Sequence, residues 1–248
     1  MFVRFVYMKK LILGFLIASV IFSSCKKSST TTGGVGAATS QAYGELTVLR
    51  SYSYNSGFLS APTNTGYANF RTNINNIASL IQISSVSANS VKLKYQSVST
   101  SYLDTTNTLP IIPTTWKVAG ASSIPSFTYT DNDSLPGYTG YVLLPDTIYR
   151  SQTSTLQING ISGADAIEVS FYNPTIPSLN IYQMKSTGVT TNNAFSFSPT
   201  ALSPLPLSAS SGPTLLIISV FKHNSQFISG VNFSFVTQLE INTQVYIK

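Results

Sequence analysis

The stretch "VNFSFVTQLEI", Val231–Ile241, sets Val231, Phe233, Phe235, Leu239 and Ile241 against Asn232, Ser234, Gln238 and Glu240. Side chains of an extended chain alternate between two faces, so this period of two describes a strand with one face buried. The same pattern recurs upstream. "ELTVLRSYSY" places Leu46, Val48, Tyr52 and Tyr54 on one side, with Glu45, Thr47, Ser51 and Ser53 opposite. "VKLKYQSV" (91–98) and "AIEVSFY" (166–172) alternate likewise, and "LLIISVF" (215–221), apolar on both sides, reads as a central strand. One segment differs: in "NINNIASLIQI" (73–83), Ile74, Ile77, Leu80 and Ile81 fit a spacing of 3.6 and predict a short helix.

The fold class expected is therefore all-β. More than two hundred residues exceed a single seven-stranded sandwich of about 100. "TDNDSLPGYTG" (130–140) collects turn formers, which predicts a boundary near 134. The division is then an N-terminal β domain over 43–134 and a C-terminal immunoglobulin-like sandwich over 135–248. Short strands are expected in the latter near 146–150, 154–159, 166–172, 180–184, 194–198, 214–222, 227–235 and 236–247, with no Cys…Trp…Cys pattern. Residues 26–42, "KKSSTTTGGVGAATSQA", carry no apolar periodicity and read as a flexible tether with a reach of about 20–25 Å.

The start of the chain has the layout of a secretory signal: Lys9-Lys10, an apolar run from Leu11 to Phe22, then small residues. The run is short of the ~20 residues that cross a bilayer. Met8 is the more natural start. The chain's one cysteine, Cys25, lies among Ser23, Ser24, Lys26 and Lys27, surroundings unlike those of a core thiol. "FSSC" after such a run resembles the lipobox of bacterial lipoproteins, and "MKK…SSCKK" is most similar to those of the Bacteroidota. Phe22, where leucine is commoner, is its one departure. The resemblance covers residues 8–27. It implies cleavage after residue 24, a diacylglyceryl thioether on Cys25 and acylation of the new amino terminus. Several acyl chains anchor firmly where one binds marginally, each buried CH₂ contributing about 0.8 kcal/mol. Ordinary secretion with an incidental cysteine is the alternative. Surface export in this group resembles a rule in which acidic residues follow the cysteine; Lys26-Lys27-Ser28-Ser29 follow here, so an outer-membrane protein facing the periplasm is expected.

Removal of residues 1–24 takes Arg4, Lys9 and Lys10, leaving 11 basic against 8 acidic side chains. The basic residues are scattered, whereas nucleic-acid binding wants a clustered basic face. Reactive groups are few. The single histidine, His223 in "FKHNSQ", reads as a turn residue. No nucleophile-elbow, zinc-protease or phosphate-loop motif occurs, and no cofactor is expected. Glu45, Asp104, Asp131, Asp133, Asp146, Asp165, Glu168 and Glu240 fall on polar strand faces or in turns, where a solvated carboxylate is the default. Two converging carboxylates would nonetheless make a hydrolase. "DND" places Asp131 and Asp133 as an incomplete oxygen-ligand set for calcium, or as turn formers.

Trp116 alternates with Val118 and is expected in a core, while Tyr129, Tyr138 and Tyr141 near the boundary could stack on sugar faces. "DTT", "DSL" and "DTI" resemble the Asp-Ser/Thr-apolar O-glycosylation sequon of Bacteroidota exported proteins, which would modify Thr105, Ser134 and Thr147; ordinary turn chemistry is the alternative. The function expected is a membrane-anchored, non-catalytic binding or adhesion module, with glycan as a candidate ligand. A structural or assembly subunit of the envelope, partnered by another envelope protein, is the second reading and a hydrolase the third. A β-sandwich can host any of them.

Overall fold

The computed structural model describes residues 42–248 except 56, 74–75, 122, 174–175 and 177–179. The signal segment, Cys25 and the tether to residue 41 lie outside the described residues. The fold is all-β and sandwich-like, as the alternation predicts. Its centre is one large sheet in which Asn180–Lys185, Ala166–Tyr172, Thr214–Ile228, Val231–Ile247, Tyr43–Asn55, Thr63–Arg71, Ser101–Leu103 and Lys94–Gln96 lie side by side in that order.

The first and last strands pair in parallel, from Tyr43 opposite Asn232 to Tyr54 opposite Thr243. Around this pair the sheet is antiparallel. The run expected as three strands from 214 onward is instead one long hairpin, Thr214–Ile228 with Val231–Ile247. It turns on two residues, Ser229 and Gly230, at φ 48° and 85°. Positive φ at both positions is the turn whose twist matches the flanking strands, so the ladder runs unbroken to Ile228 opposite Val231.

Both hydrophobic cores sit on the same face of this sheet. Leu46, Val48, Ala68, Phe70, Val231, Phe233 and Phe235 pack under a four-stranded sheet that contributes Val86, Ala88, Trp116 and Val118. Gly44, between Phe70 and Phe233, leaves room for both rings: a Cβ there would lie 2.6 Å from the Phe233 ring. Further along, Ile167, Val169, Phe171, Leu216, Ile218, Val220, Leu239 and Ile241 pack against Leu156, Ile158, Phe195 and Phe197 of the Ser154–Asn159/Asn192–Phe197 ladder. The C-terminal strand thus serves both cores. Residues 231–235, expected wholly in the second domain, fill the first.

The helix expected over 73–83 is corrected. Only Ile77–Ser79 makes a 3₁₀ turn, begun by the Asn76 side chain accepting from Ala78 N. The backbone beyond it bonds elsewhere: Ile81 N donates to Phe70 O, and the Tyr102 hydroxyl both accepts from Ile83 N and donates to Ile83 O. Strand partners for those groups leave none for i→i−4 bonds. Ile83 is buried in the first core as an extended residue.

Because one strand carries both cores, Phe235→Ala should lower the unfolding free energy by about 3–5 kcal/mol. Trp116 fluorescence and the far-ultraviolet β signal should melt together in urea. A Trp116 transition that moves alone would mean that the two cores unfold independently.

Candidate functional site

The apolar face of the sheet is not continuous. Between Phe235 and Leu239 the C-terminal strand places Thr237, and between Val48 and Tyr52 the first strand places Arg50. Thr237 pairs with Lys222 and with Val48, and Arg50 with Leu239 and Asn64. Lys222, Thr237, Arg50 and Asn64 therefore draw a polar seam across the sheet between the two cores. The boundary segment crosses here. Asp133 pairs with Lys222 at 3.0 Å, and the Ser134 carbonyl accepts from Thr237 Oγ1 at 3.4 Å. Leu135 then packs on the first core, and Tyr138 enters the second.

A cleft of about 240 Å³ opens where this crossing meets the seam. Its floor is Arg50 and Tyr52 of the first strand with Leu239 and Ile241 of the last. One wall is Leu135, Pro136, Tyr138 and Tyr141, and Leu59 closes the rim. Tyr141 stands edge-on to Tyr138 (centroids 6.1 Å, 83°) and to Tyr54 (5.6 Å, 64°). Arg50 Nε donates to Asn64 Oδ1 at 3.0 Å, the side chain's one hydrogen bond among the described residues. Tyr138 is 5% exposed, and its hydroxyl meets no partner among the described residues. Burial pushes that phenol's pKa up. A second, more open groove of about 450 Å³ beside Lys117 has Phe127 as its one aromatic wall among the described residues.

Of the three tyrosines singled out in the sequence, Tyr138 and Tyr141 meet in the cleft and Tyr129 does not. Tyr129 lies at 4.2 Å and 30° on Phe235, and its hydroxyl accepts from Asn224 Nδ2 at 2.9 Å. Tyr52 and Arg50 were not singled out. The signal for Arg50 was its place: a charged residue at an inward position of the series Leu46, Val48, Arg50, Tyr52, Tyr54.

Asp131 and Asp133 do not converge on a cation. Asp133 is held by Lys222. Asp131 is buried, its Oδ1 accepting from Asp133 N at 3.1 Å and Asn224 Nδ2 at 3.4 Å; burial pushes its carboxyl up against those bonds. Among the sequon-like sites, Thr105 and Ser134 are exposed and Thr147 half-buried beside Tyr246. The neighbouring Asp104 is buried and closes a turn, its Oδ1 accepting from Thr106 N at 2.8 Å and from Thr106 Oγ1 at 2.6 Å.

Two expectations about ionisable groups are corrected. His223 lies within a strand, where its backbone N–H and its Nδ1 both face Asp165, at 3.0 and 3.1 Å. Burial works to raise the Asp165 carboxyl, and the bonds from His223 overcome it and hold it low. Carboxylates are also not mainly solvated: Glu45, Asp104, Asp131, Glu168 and Glu240 are all buried. Glu168 and Glu240 lie on the sheet's other face, one strand apart across Ser219. Glu240 Oε1 accepts from Asn242 Nδ2 at 2.7 Å and Ser51 Oγ at 3.0 Å. Burial, and next the charge of Glu240, push Glu168 from 4.5 up to about 7. Burial also pushes Glu240 up, against those two bonds. Neither glutamate lines the cleft.

No protein-family model, no curated protein and no solved structure matches this chain.

The carboxylate pair predicts a pH dependence of stability. Glu168 binds its proton more tightly folded than unfolded, so stability is greatest below about 4.5 and is lost as pH rises, completely above about 7. The interval from 4.5 to about 7 corresponds to about 3 kcal/mol. Glu168→Gln should flatten the fall in melting temperature between pH 5 and 8 and make the protein more stable than wild type at pH 8. A wild-type melting temperature that rises over this interval would contradict the assignment.

Proposed function

We propose that the chain is an envelope lipoprotein, anchored through Cys25 to the outer membrane and facing the periplasm, whose β domains form a non-catalytic glycan-binding module. The observation that carries the reading is the cleft, where Tyr138 and Tyr141 of the wall meet Tyr52, Leu239 and Ile241 of the floor. Flat rings beside apolar side chains suit the C–H faces of a sugar. The volume is below the ~300–1,000 Å³ typical of larger small-molecule sites, which suits one ring or the end of a chain. Among the described residues no carboxylate or histidine lines it, so those residues bring neither general acid nor base for glycoside cleavage.

A structural role in envelope assembly is the second reading. It draws on apolar side chains that face solvent, chiefly Phe58 and Phe227, 79% and 69% exposed. Phe227 stands near the tip of the long hairpin and Phe58 in the turn after the first strand.

Cys25→Ser should move the protein from the membrane fraction to the soluble periplasmic fraction; unchanged attachment would rule out the lipid anchor. Tyr141→Ala should weaken glycan binding about tenfold, about 1.4 kcal/mol, at an unchanged fold. The check is a glycan array followed by calorimetry on the hits. Equal binding by the variant would place any glycan site elsewhere.

A further inference from the structure

We infer that the cleft selects an acidic saccharide, one whose terminal or penultimate ring carries a carboxylate or sulfate that Arg50 receives. This rests on the glycan-binding reading and adds the charge of the ligand to it.

Arg50 is a cation on the floor of a pocket that is otherwise aromatic and aliphatic. Arg50 is half-buried, so its guanidinium stays wet in the cleft, and a ligand that covers it must supply an acceptor in place of the water it displaces. Here Nε is tied to the neutral Asn64 Oδ1, and no ion pair with Arg50 exists among the described residues. The remaining guanidinium nitrogens, four N–H donors in a fixed plane, are left without a protein acceptor. A planar donor set with one edge already fixed is the arrangement that accepts a carboxylate or sulfate in two-point fashion. Asn64 acts as a positioning residue, since its bond to Nε sets the plane of the guanidinium.

The surroundings favour a negative group and oppose a positive one. Among the described residues no acidic side chain lines the cleft. Asp133, the nearest carboxylate in sequence to the Leu135–Pro136 wall, is already neutralised by Lys222. The anion also has to belong to something with a ring. Tyr52 and Tyr141 present aromatic surface beside Arg50. A free inorganic anion would use Arg50 alone and leave the tyrosines idle. A neutral sugar would use the rings and leave the guanidinium unmatched. A uronic acid or sulfated sugar uses both.

The test is calorimetry on the full-length protein in detergent, comparing oligogalacturonate with neutral galactose oligomers of the same length, on wild type, Arg50→Gln, Arg50→Lys and Tyr141→Ala. The expected result is at least tenfold preference for the uronate in wild type. Arg50→Gln should abolish that preference without weakening the neutral sugar more than twofold. Arg50→Lys should restore part of it and bring a steeper salt dependence, and Tyr141→Ala should weaken both ligands. Because Arg50→Lys keeps the charge in place, its partial rescue separates recognition from a fold defect in Arg50→Gln. Equal binding of acidic and neutral oligomers by wild type would overturn the inference and leave the glycan-binding reading standing, as would equal losses for both ligands in Arg50→Gln. No binding of either oligomer, together with no response to Tyr141→Ala on a wider array, would overturn the reading and the inference with it.

Discussion

Everything in this molecule hangs on the parallel pairing of Tyr43–Asn55 with Val231–Ile247. Parallel neighbours cannot be joined by a tight turn, and here the ends of the chain supply them. The first strand's parallel ladder therefore closes only on a partner far along the sequence, Val231–Ile247. The pair then fixes both cores at once, because its inward residues run from Leu46 and Phe235 at one end to Tyr54 and Ile241 at the other. A break anywhere in it exposes apolar surface in two places.

The two faces of the central sheet are built on opposite principles. The inward face collects aliphatic and aromatic residues under smaller sheets, which is where the burial energy lies. The other face carries Glu45, Thr47, Asn69, Ser170, Ser219, Gln238, Glu240 and Asn242, all buried. Such groups cost free energy unless they bond, and several do: Gln238 Nε2 to Ser219 Oγ at 3.2 Å, and Ser51 Oγ and Asn242 Nδ2 to Glu240 Oε1. The network is incomplete among the described residues, since Glu240 Oε2 and Asn242 Oδ1 have no partner there. On this face burial, and next the charge of Glu240, push the Glu168 carboxyl up, and neither glutamate lines the cleft.

Much of this was legible from the sequence, for definite reasons. Alternation located strand segments at 45–54, 166–172 and 231–241 because each has one polar face and one dry one. It could not show that the polar face would itself be buried, since period two reports a difference between faces and not the exposure of either. The helical spacing in 73–83 misled because Ile74, Ile77, Leu80 and Ile81 fit two periods over so short a run. What decided was the competition for backbone groups by Phe70 and Tyr102, partners distant in sequence. The hairpin was split in the reading because Lys222 to Gln226 is polar on both sides, a pattern that marks a turn unless the strand has left the core. It has done so: beyond Lys222 the strand runs past the second core, and His223 finds Asp165 across the sheet.

The cleft follows from the seam. Two cores on one face of one sheet would merge into a single layer unless something polar divided them, and the register pairs Lys222–Thr237 and Arg50–Asn64, offset from each other by two residues, supply that division across four strands. At the Lys222 end the boundary segment closes the gap, with Asp133 on the lysine and Ser134 on Thr237. At the Arg50 end it lifts away toward Tyr138, and among the described residues no carboxylate takes the place that Asp133 takes at the other end. The same strand register that keeps the cores apart therefore creates one pocket, and leaves there the one member of the seam whose charge has no counterpart among the described residues. Chemistry at that point is a consequence of the fold's division into two cores, which is why neither half read alone contains it.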